Sequence, residues 1–221
     1  MRYGMVIDLK RCSGCKTCSV VCKVANNIPN DIIWNRVLTE GGNAPDTAGG
    51  TWDNPEMQHW PVACQHCENP ACTKVCPVGA TWKDEQTGIV RQDYDKCIGC
   101  RMCEKACPYG APQFADPKKT SYFGEKTPLE VIPVRPENAR TPGKAEHCTL
   151  CVHRTERGLL PACVEACGIH AMTLVDYDNP TPETAKLIEA ARPMNEAAGT
   201  HPKIRYIARH MDAAKMAVKL G

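Results

Sequence analysis

The 221-residue sequence predicts an α+β fold, and three features carry that prediction. Its 16 cysteines fall into four clumps of four: Cys12, Cys15, Cys18, Cys22; Cys64, Cys67, Cys72, Cys76; Cys97, Cys100, Cys103, Cys107; and Cys148, Cys151, Cys163, Cys167. A short strand-like run stands beside most of the clumps. Short helices close them, so that strand, cysteine loop, helix and strand recur along the chain.

In chain order, GMVID before the first clump reads as a strand, GIVRQD before the third as another and AMTLVDY after the fourth as a third. Pro70 and Pro161 sit where a helix begins, since the first turn has no use for the N–H that proline lacks. Two insertions rich in Gly, Pro, Asn and Asp, about 26–60 and 112–146, read as irregular loops, and loops of that length in a compact domain are functional or covered by a partner. The first contains Trp34, Trp52 and Trp60, which are either interface anchors or local core over the cysteine loops. Beyond residue 176 there are no cysteines. There Thr181 N-caps a helix with Pro182 and Glu183 in its first turn, and Leu187, Ile188 and Ala191 give it an apolar face. A second, weaker helix is expected over 209–219. With so little apolar area the tail is expected to lie on the main body or on another subunit.

Composition narrows the chemistry. Aromatics are only 5% of the chain, with 2 Phe, so the cysteines must help to hold the fold together. Disulfides fit poorly, because closure of a long loop is where a disulfide gains most and these thiols are mostly two or three residues apart. Charge is nearly balanced, 27 Lys and Arg against 25 Asp and Glu, which removes the basic surface a nucleic-acid partner needs. No apolar run reaches the ~18 residues of a membrane span. Met1 leads directly into a strand-like run with no signal-peptide pattern, so any export is expected to ride on a partner, and the site of action is left as cytoplasmic or extracytoplasmic.

The spacing points to iron and sulfur. The stretches DLKRCSGCKTCSVVCKVA and DYDKCIGCRMCEKACPYGA superimpose without a gap, each reading C-x-G-C-x-x-C-x-x-x-C, while the second and fourth clumps open the middle gap to four and eleven residues. Zinc takes two C-x-x-C knuckles tetrahedrally. Three thiols at this pitch cannot all turn onto one small ion without strain, whereas a cubane offers separate iron corners. Gly14 and Gly99 allow the positive φ that brings N–H groups toward sulfur. The run C-x2-C-x2-C-x3-C-P is the bacterial ferredoxin signature, in which the fourth cysteine serves the neighbouring cluster. Cys107 before Pro108 and Cys76 before Pro77 fit it. Sixteen thiols make four [4Fe-4S] clusters and leave no cysteine for catalysis. Four oxidised clusters, each −2 with its thiolates, take the formal charge from +2 to about −6. Arg11, Lys16, Lys74, Lys96, Arg101 and Lys105 beside the clumps either soften that charge or are ordinary solvated cations. Because no cysteine is missing, His66, His147, His153 and His170 are expected to face solvent or stand beside the ligands rather than bind metal.

These motifs, with CQHCENPACTKVCPVGA and CTLCVHRTERGLLPACVEAC, resemble the four-cluster iron-sulfur B subunits of molybdopterin oxidoreductases of the dimethyl sulfoxide reductase family over about residues 3–175. The resemblance implies two ferredoxin-like lobes related by a pseudo-twofold, lobe one from about 1–25 and 147–175 and lobe two from about 61–111. The tail, 176–221, matches no motif of the family and is expected to pack on a partner subunit. It implies four ligand sets: Cys12, Cys15, Cys18, Cys167; Cys22, Cys148, Cys151, Cys163; Cys64, Cys67, Cys72, Cys107; and Cys76, Cys97, Cys100, Cys103. Gly168 follows Cys167 where relatives commonly have Pro, which puts that cluster's hydrogen bonding in doubt.

The implied function is electron transfer, single electrons passing through four [4Fe-4S] clusters to or from a Mo or W active site on a large catalytic subunit. A membrane quinone-reactive subunit or a soluble carrier completes the circuit. The chain itself is expected to have no enzymatic activity and no catalytic residue. The closest rival is the equivalent subunit of a hydrogenase or formate dehydrogenase. A structural zinc protein and a stand-alone reductase are the others, the last lacking any G-x-G-x-x-G fingerprint.

Overall fold

The computed structural model describes residues 1–29, 31–44, 46–116 and 143–208. The helix expected over 209–219 and most of the second insertion lie outside the described residues. The architecture is α+β, with short helices and one larger and several two-stranded sheets.

The larger sheet is built on β1 (Tyr3–Asp8), whose residues Gly4 to Ile7 are all buried. It pairs antiparallel with β10 (Met172–Asp176), Met5 opposite Leu174, and parallel with β12 (Ile204–Ile207), Met5 opposite Ile204. β11 (Arg192–Pro193) closes the far edge against β12. Alternation sends Met5 and Ile7 to one face, into a core with Leu9, Trp60, Met172, Ile204 and Tyr206. Val6 goes to the other face and meets Val175 and Ala191, covered by Leu187 and Ile188 of α6 (Pro182–Ala190). Thr181 caps α6 as its sequence predicts, its hydroxyl accepting from the Thr184 N–H at 3.2 Å. Beyond α6 the chain returns to the body, where β11 and β12 extend the larger sheet from the β1 edge.

α1 (Thr17–Ala25) packs on α5 (Ala162–Glu165), beside the β1/β10 pair. The same arrangement recurs with α2 (Ala71–Lys74) on α3 (Met102–Ala106), beside the antiparallel pair β6 (Thr81–Lys83) and β7 (Val90–Gln92). Pro70 and Pro161 stand at the N-caps of α2 and α5. α4 (Val152–Thr155) follows the fourth clump's first two cysteines.

The first insertion is more regular than expected. Its strands β2 (Arg36–Glu40) and β5 (Gln58–Val62) form a five-residue antiparallel ladder, with the small pair β3 (Gly49–Gly50) and β4 (Pro55–Glu56) at its tip. The alternation of Val37, Thr39, His59 and Pro61 is hidden in sequence by the Gly- and Pro-rich stretch between them. The short pair β8 (Gln113–Phe114) and β9 (Ala145–Glu146) joins the two ends of the second insertion.

Candidate metal centres

The residue before the second cysteine has positive φ in all four clumps: Gly14 (70°), His66 (41°), Gly99 (72°) and Leu150 (51°). Two of these are glycines, for which the conformation costs little. A Cβ at Gly14 would also lie 2.5 Å from the His59 ring, and one at Gly99 would lie 2.7 Å from Gly143 O. His66 and Leu150 adopt the same turn with a side chain, so the loop geometry is stronger than the glycine pattern that announces it. Lys16 and Arg101, the N-caps of α1 and α3, are also left-handed, turning the chain sharply from loop into helix.

These turns gather the thiols into groups. Cys12 stands beside Cys15 and Cys167, and Cys18 beside Cys12 and Cys15. Cys22 is grouped with Cys148, Cys151 and Cys163, and these four, with Cys64 at the edge, line one cavity of about 500 Å³ floored by Met5, Ile7, Met172 and Ile204 of the larger sheet. A second cavity of about 360 Å³ is lined by Cys64, Cys67, Cys72 and Cys107, and a third of about 270 Å³ by Cys76, Cys97, Cys100 and Cys103. Neighbouring groups also lie within electrostatic range of one another. Cys163 interacts with Cys18, Cys64 with Cys148, and Cys72 with Cys103. Cys15 and Cys100 are exposed.

Burial disfavours thiolate here. It pushes Cys148 up to about 12, and burial with the neighbouring Cys107 and Cys67 does the same to Cys72. Burial raises Cys22, Cys64 and Cys163 well above the usual thiol range. So many thiols crowded in apolar cavities are explained by bound metal, which deprotonates a coordinating thiol outright. Among the described residues no three Cys, His, Asp or Glu side chains converge closely enough to hold a single metal ion. That spacing suits ligands that each take a different corner of a cubane.

Backbone N–H groups are aimed at sulfur. The Ala80 N–H donates to Cys76 Sγ (3.2 Å), the Ala111 N–H to Cys107 Sγ (3.5 Å) and the Ala171 N–H to Cys167 Sγ (3.3 Å). Each donor lies four residues after the last cysteine of its clump. The doubt raised by Gly168 is thereby answered for the hydrogen bond, which forms after Cys167 as it does after Cys76 and Cys107. In the first clump α1 continues past Cys22 and the Asn26 N–H is used by Cys22 O (3.1 Å). There the buried Asn26 side chain faces the sulfurs instead: its Nδ2 donates one proton to Cys22 O (2.9 Å) and lies 3.7 Å from Cys22 Sγ and 3.9 Å from Cys151 Sγ, which are left to share the other.

Several of these residues escaped sequence reasoning. Asn26 is visible only as the fourth residue after Cys22, and Tyr109 only as a position in the CPYGA turn. Arg36 Nη2 donates to Tyr109 O (2.6 Å) beside Cys107, and neither Arg36 nor Thr200, which lines the Cys64/Cys67 cavity, carries any local signal. The histidines divide. His170 is exposed and His153 half-buried, but His66 and His147 are fully enclosed beside Cys67 and Cys148, their rings edge to face at 6.4 Å. Val90 N–H donates to His66 Nδ1 (3.1 Å), and burial, with His147 nearby, pushes His66 down to about 3, so it is neutral. Of the flanking cations, Lys16 pairs with Asp46, Lys96 with Asp93 and Arg101 with Glu104, so these three serve carboxylates. Trp34 and Trp60 are core, Trp60 Nε1 donating to Glu40 (2.8 Å), while Trp52 is fully exposed.

The profile of the 4Fe-4S dicluster domain family matches residues 55–126 and 118–177. A relative from Halobacterium salinarum, described as a putative dimethyl sulfoxide reductase iron-sulfur subunit, is 43% identical over 96% of this chain and 81% of its own length. The chain itself belongs to the iron-sulfur B subunits of the dimethyl sulfoxide reductase family. The arsenate respiratory reductase iron-sulfur subunit of Shewanella sp. strain ANA-3 is 36% identical over 94% of this chain and 96% of its own. One chain of the anaerobic dimethyl sulfoxide reductase of Escherichia coli K12 is 35% identical over 92% and 87%.

As a member of this family the protein is an electron-transfer subunit of a reductase complex. It carries [4Fe-4S] clusters, four by its 16 cysteines, and substrate chemistry belongs to a catalytic partner. These relatives do not favour the hydrogenase-type alternative. Among the described residues no helix is long and apolar enough to cross a membrane.

Proposed function

We propose that the four clusters are held by Cys12, Cys15, Cys18, Cys167; Cys22, Cys148, Cys151, Cys163; Cys64, Cys67, Cys72, Cys107; and Cys76, Cys97, Cys100, Cys103, in that spatial order. The observation that carries this is the match of three cavities to three of these sets, with Cys12, Cys15, Cys18 and Cys167 grouped in the fourth. The interactions of Cys18 with Cys163, Cys148 with Cys64 and Cys72 with Cys103 support a line rather than a cluster of centres. When bound, each [4Fe-4S] group takes up and releases one electron at a time at a potential its surroundings set.

The chain's own groups hold the thiolates, keep water from the two inner cavities, and place N–H donors on sulfur, which favours the more negative, reduced state. The ends differ from the middle. Exposed Cys15 and Cys100 offer the two places where electrons enter and leave, one of them facing the catalytic subunit. The recurring pair of helices with an antiparallel strand pair supports two ferredoxin-like lobes related by a pseudo-twofold, 1–25 with 147–175 and 61–111.

The partner we infer is a large subunit with a molybdopterin Mo or W centre, fed by a membrane quinone-reactive subunit or a soluble carrier. Anaerobic purification of the tagged chain from its host tests this. Near-stoichiometric Mo or W on a large copurifying subunit is expected, and a complex holding Ni, or iron without Mo or W, would overturn it.

A further inference from the structure

The segment 199–203 carries no cysteine, yet it runs along the ligand loop 65–69. The Glu68 N–H donates to His201 O (2.8 Å), the Asn69 N–H to Thr200 O (3.0 Å), and the Lys203 N–H to Gln65 O (3.0 Å). Asn69 Nδ2 donates to Gly199 O (3.1 Å), and Lys203 pairs with Glu68 at 2.8 Å. Farther on, Tyr206 in β12 donates to Pro61 O (3.1 Å) and accepts from Gln65 Nε2 (3.2 Å). The tail thus binds the larger sheet to the Cys64/Cys67 loop.

This docking sets Thr200, 5% exposed, into the wall of the cavity lined by Cys64, Cys67, Cys72 and Cys107. It shares that wall with Cys67, whose sulfur has the Thr200 side chain as a neighbour that favours the thiolate. On its other side Thr200 Oγ1 lies 2.7 Å from Tyr109 Oη, which is also 3.3 Å from Met194 O. Tyr109 has one proton and Thr200 one. With Cys67 a thiolate, and so only an acceptor, both are used when Tyr109 donates to Thr200 over the shorter contact and Thr200 donates to sulfur.

We propose that Thr200 raises the reduction potential of the cluster held by Cys64, Cys67, Cys72 and Cys107 by donating a hydrogen bond to Cys67, with Tyr109 as its positioning residue. The proposal rests on that ligand set. Reduction adds negative charge that is shared with the sulfurs, and a donor aimed at one of them stabilises the reduced form more than the oxidised form.

The test is an anaerobic redox titration of the intact complex, following each cluster by electron paramagnetic resonance. Cys67→Ser and Cys107→Ser first identify the signal, and both are expected to alter the same cluster. If they alter different clusters, the ligand set and the proposal with it are wrong. Thr200→Val is then expected to lower that cluster's reduced-to-oxidised ratio at fixed potential by threefold to tenfold, tenfold being 59 mV for one electron. Thr200→Ser restores it, and the other three clusters do not move. Tyr109→Phe gives a smaller shift of the same sign, and a shift upward would reverse the assigned donor order and overturn the positioning role. Leu187→Ala, an uncharged change on the opposite face of the larger sheet, is expected to lower thermal stability without moving the potential. An unmoved cluster in Thr200→Val, with Cys67→Ser and Cys107→Ser agreeing, overturns the proposal and leaves the ligand set standing. A shift in Leu187→Ala as large as in Thr200→Val overturns it too, since the effect would then be structural.

Discussion

The first cysteine clump and the other three meet one electrostatic need in two ways. After Cys76, Cys107 and Cys167 the chain leaves its helix in a turn, and the N–H of the fourth residue on points back at sulfur. After Cys22 helix α1 runs on to Ala25, the N–H is taken by the helix, and Asn26 supplies a side-chain amide to Cys22 and Cys151. A backbone donor is indifferent to residue type and a side-chain donor is not. The helical clump should therefore be the one in which the donor after the last cysteine depends on a single side chain.

The largest effect that can break this comparison is loss of a ligand from either kind of clump. Cys22→Ser and Cys76→Ser are each expected to remove one whole cluster, about four iron atoms per chain. Cys22→Ser should remove the cluster shared with Cys148, Cys151 and Cys163, leaving the centre of Cys12, Cys15 and Cys18 intact. Iron analysis with electron paramagnetic resonance reads both. Next is Asn26→Leu, which keeps the branched shape and removes the amide. It should lower the midpoint of the Cys22/Cys151 cluster alone, by up to about tenfold in its reduced-to-oxidised ratio at fixed potential. Ala80→Gly and Ala111→Gly, which keep the backbone N–H, should leave every midpoint where it is. Equal shifts in Asn26→Leu and Ala80→Gly would erase the distinction.

The smallest effects lie among the turns themselves. Clumps two and three read Cys-Pro-x-Gly-Ala, whereas the fourth reads Cys167-Gly168-Ile169-His170-Ala171 with His170 at φ 49°. Space around Gly168 is open. Gly168→Pro is expected to stabilise by about 0.4–1 kcal/mol through the unfolded chain, roughly 1–4 °C in anaerobic melting. His170→Gly should be within about 1 kcal/mol of neutral, relief of the left-handed strain being offset by added chain entropy. Neither should move a cluster potential, because the Ala171 donor is retained.

What was legible in sequence was local. The cysteine pitch, the strands beside the first, third and fourth clumps and the Thr181-Pro182 cap are set by residues within a turn or two of one another, and they stand as read. What was not legible is paired over distance. β12 joins β1 in parallel across about 200 residues, and nothing in the short run IRYI says which edge it fills. The β2/β5 ladder was hidden because Gly, Pro and Asp dominate the residues between its strands. At the metal centres the glycine rule found two of four left-handed turns and missed His66 and Leu150, because the surrounding loop can impose the conformation on a residue that does not prefer it. Thr200 and Tyr109 reach the second cavity from distant segments, Arg36 holds the Tyr109 carbonyl from a third, and only folding unites them.

The account stands most directly on the number and kind of metal centres. Iron and acid-labile sulfide should be counted per chain on anaerobically purified protein, with a redox titration on the same sample. About sixteen iron atoms and as much sulfide, four to a cubane, with four separable one-electron steps, is the predicted result. Zinc in place of iron, or iron for only two clusters with all 16 cysteines intact, would contradict it.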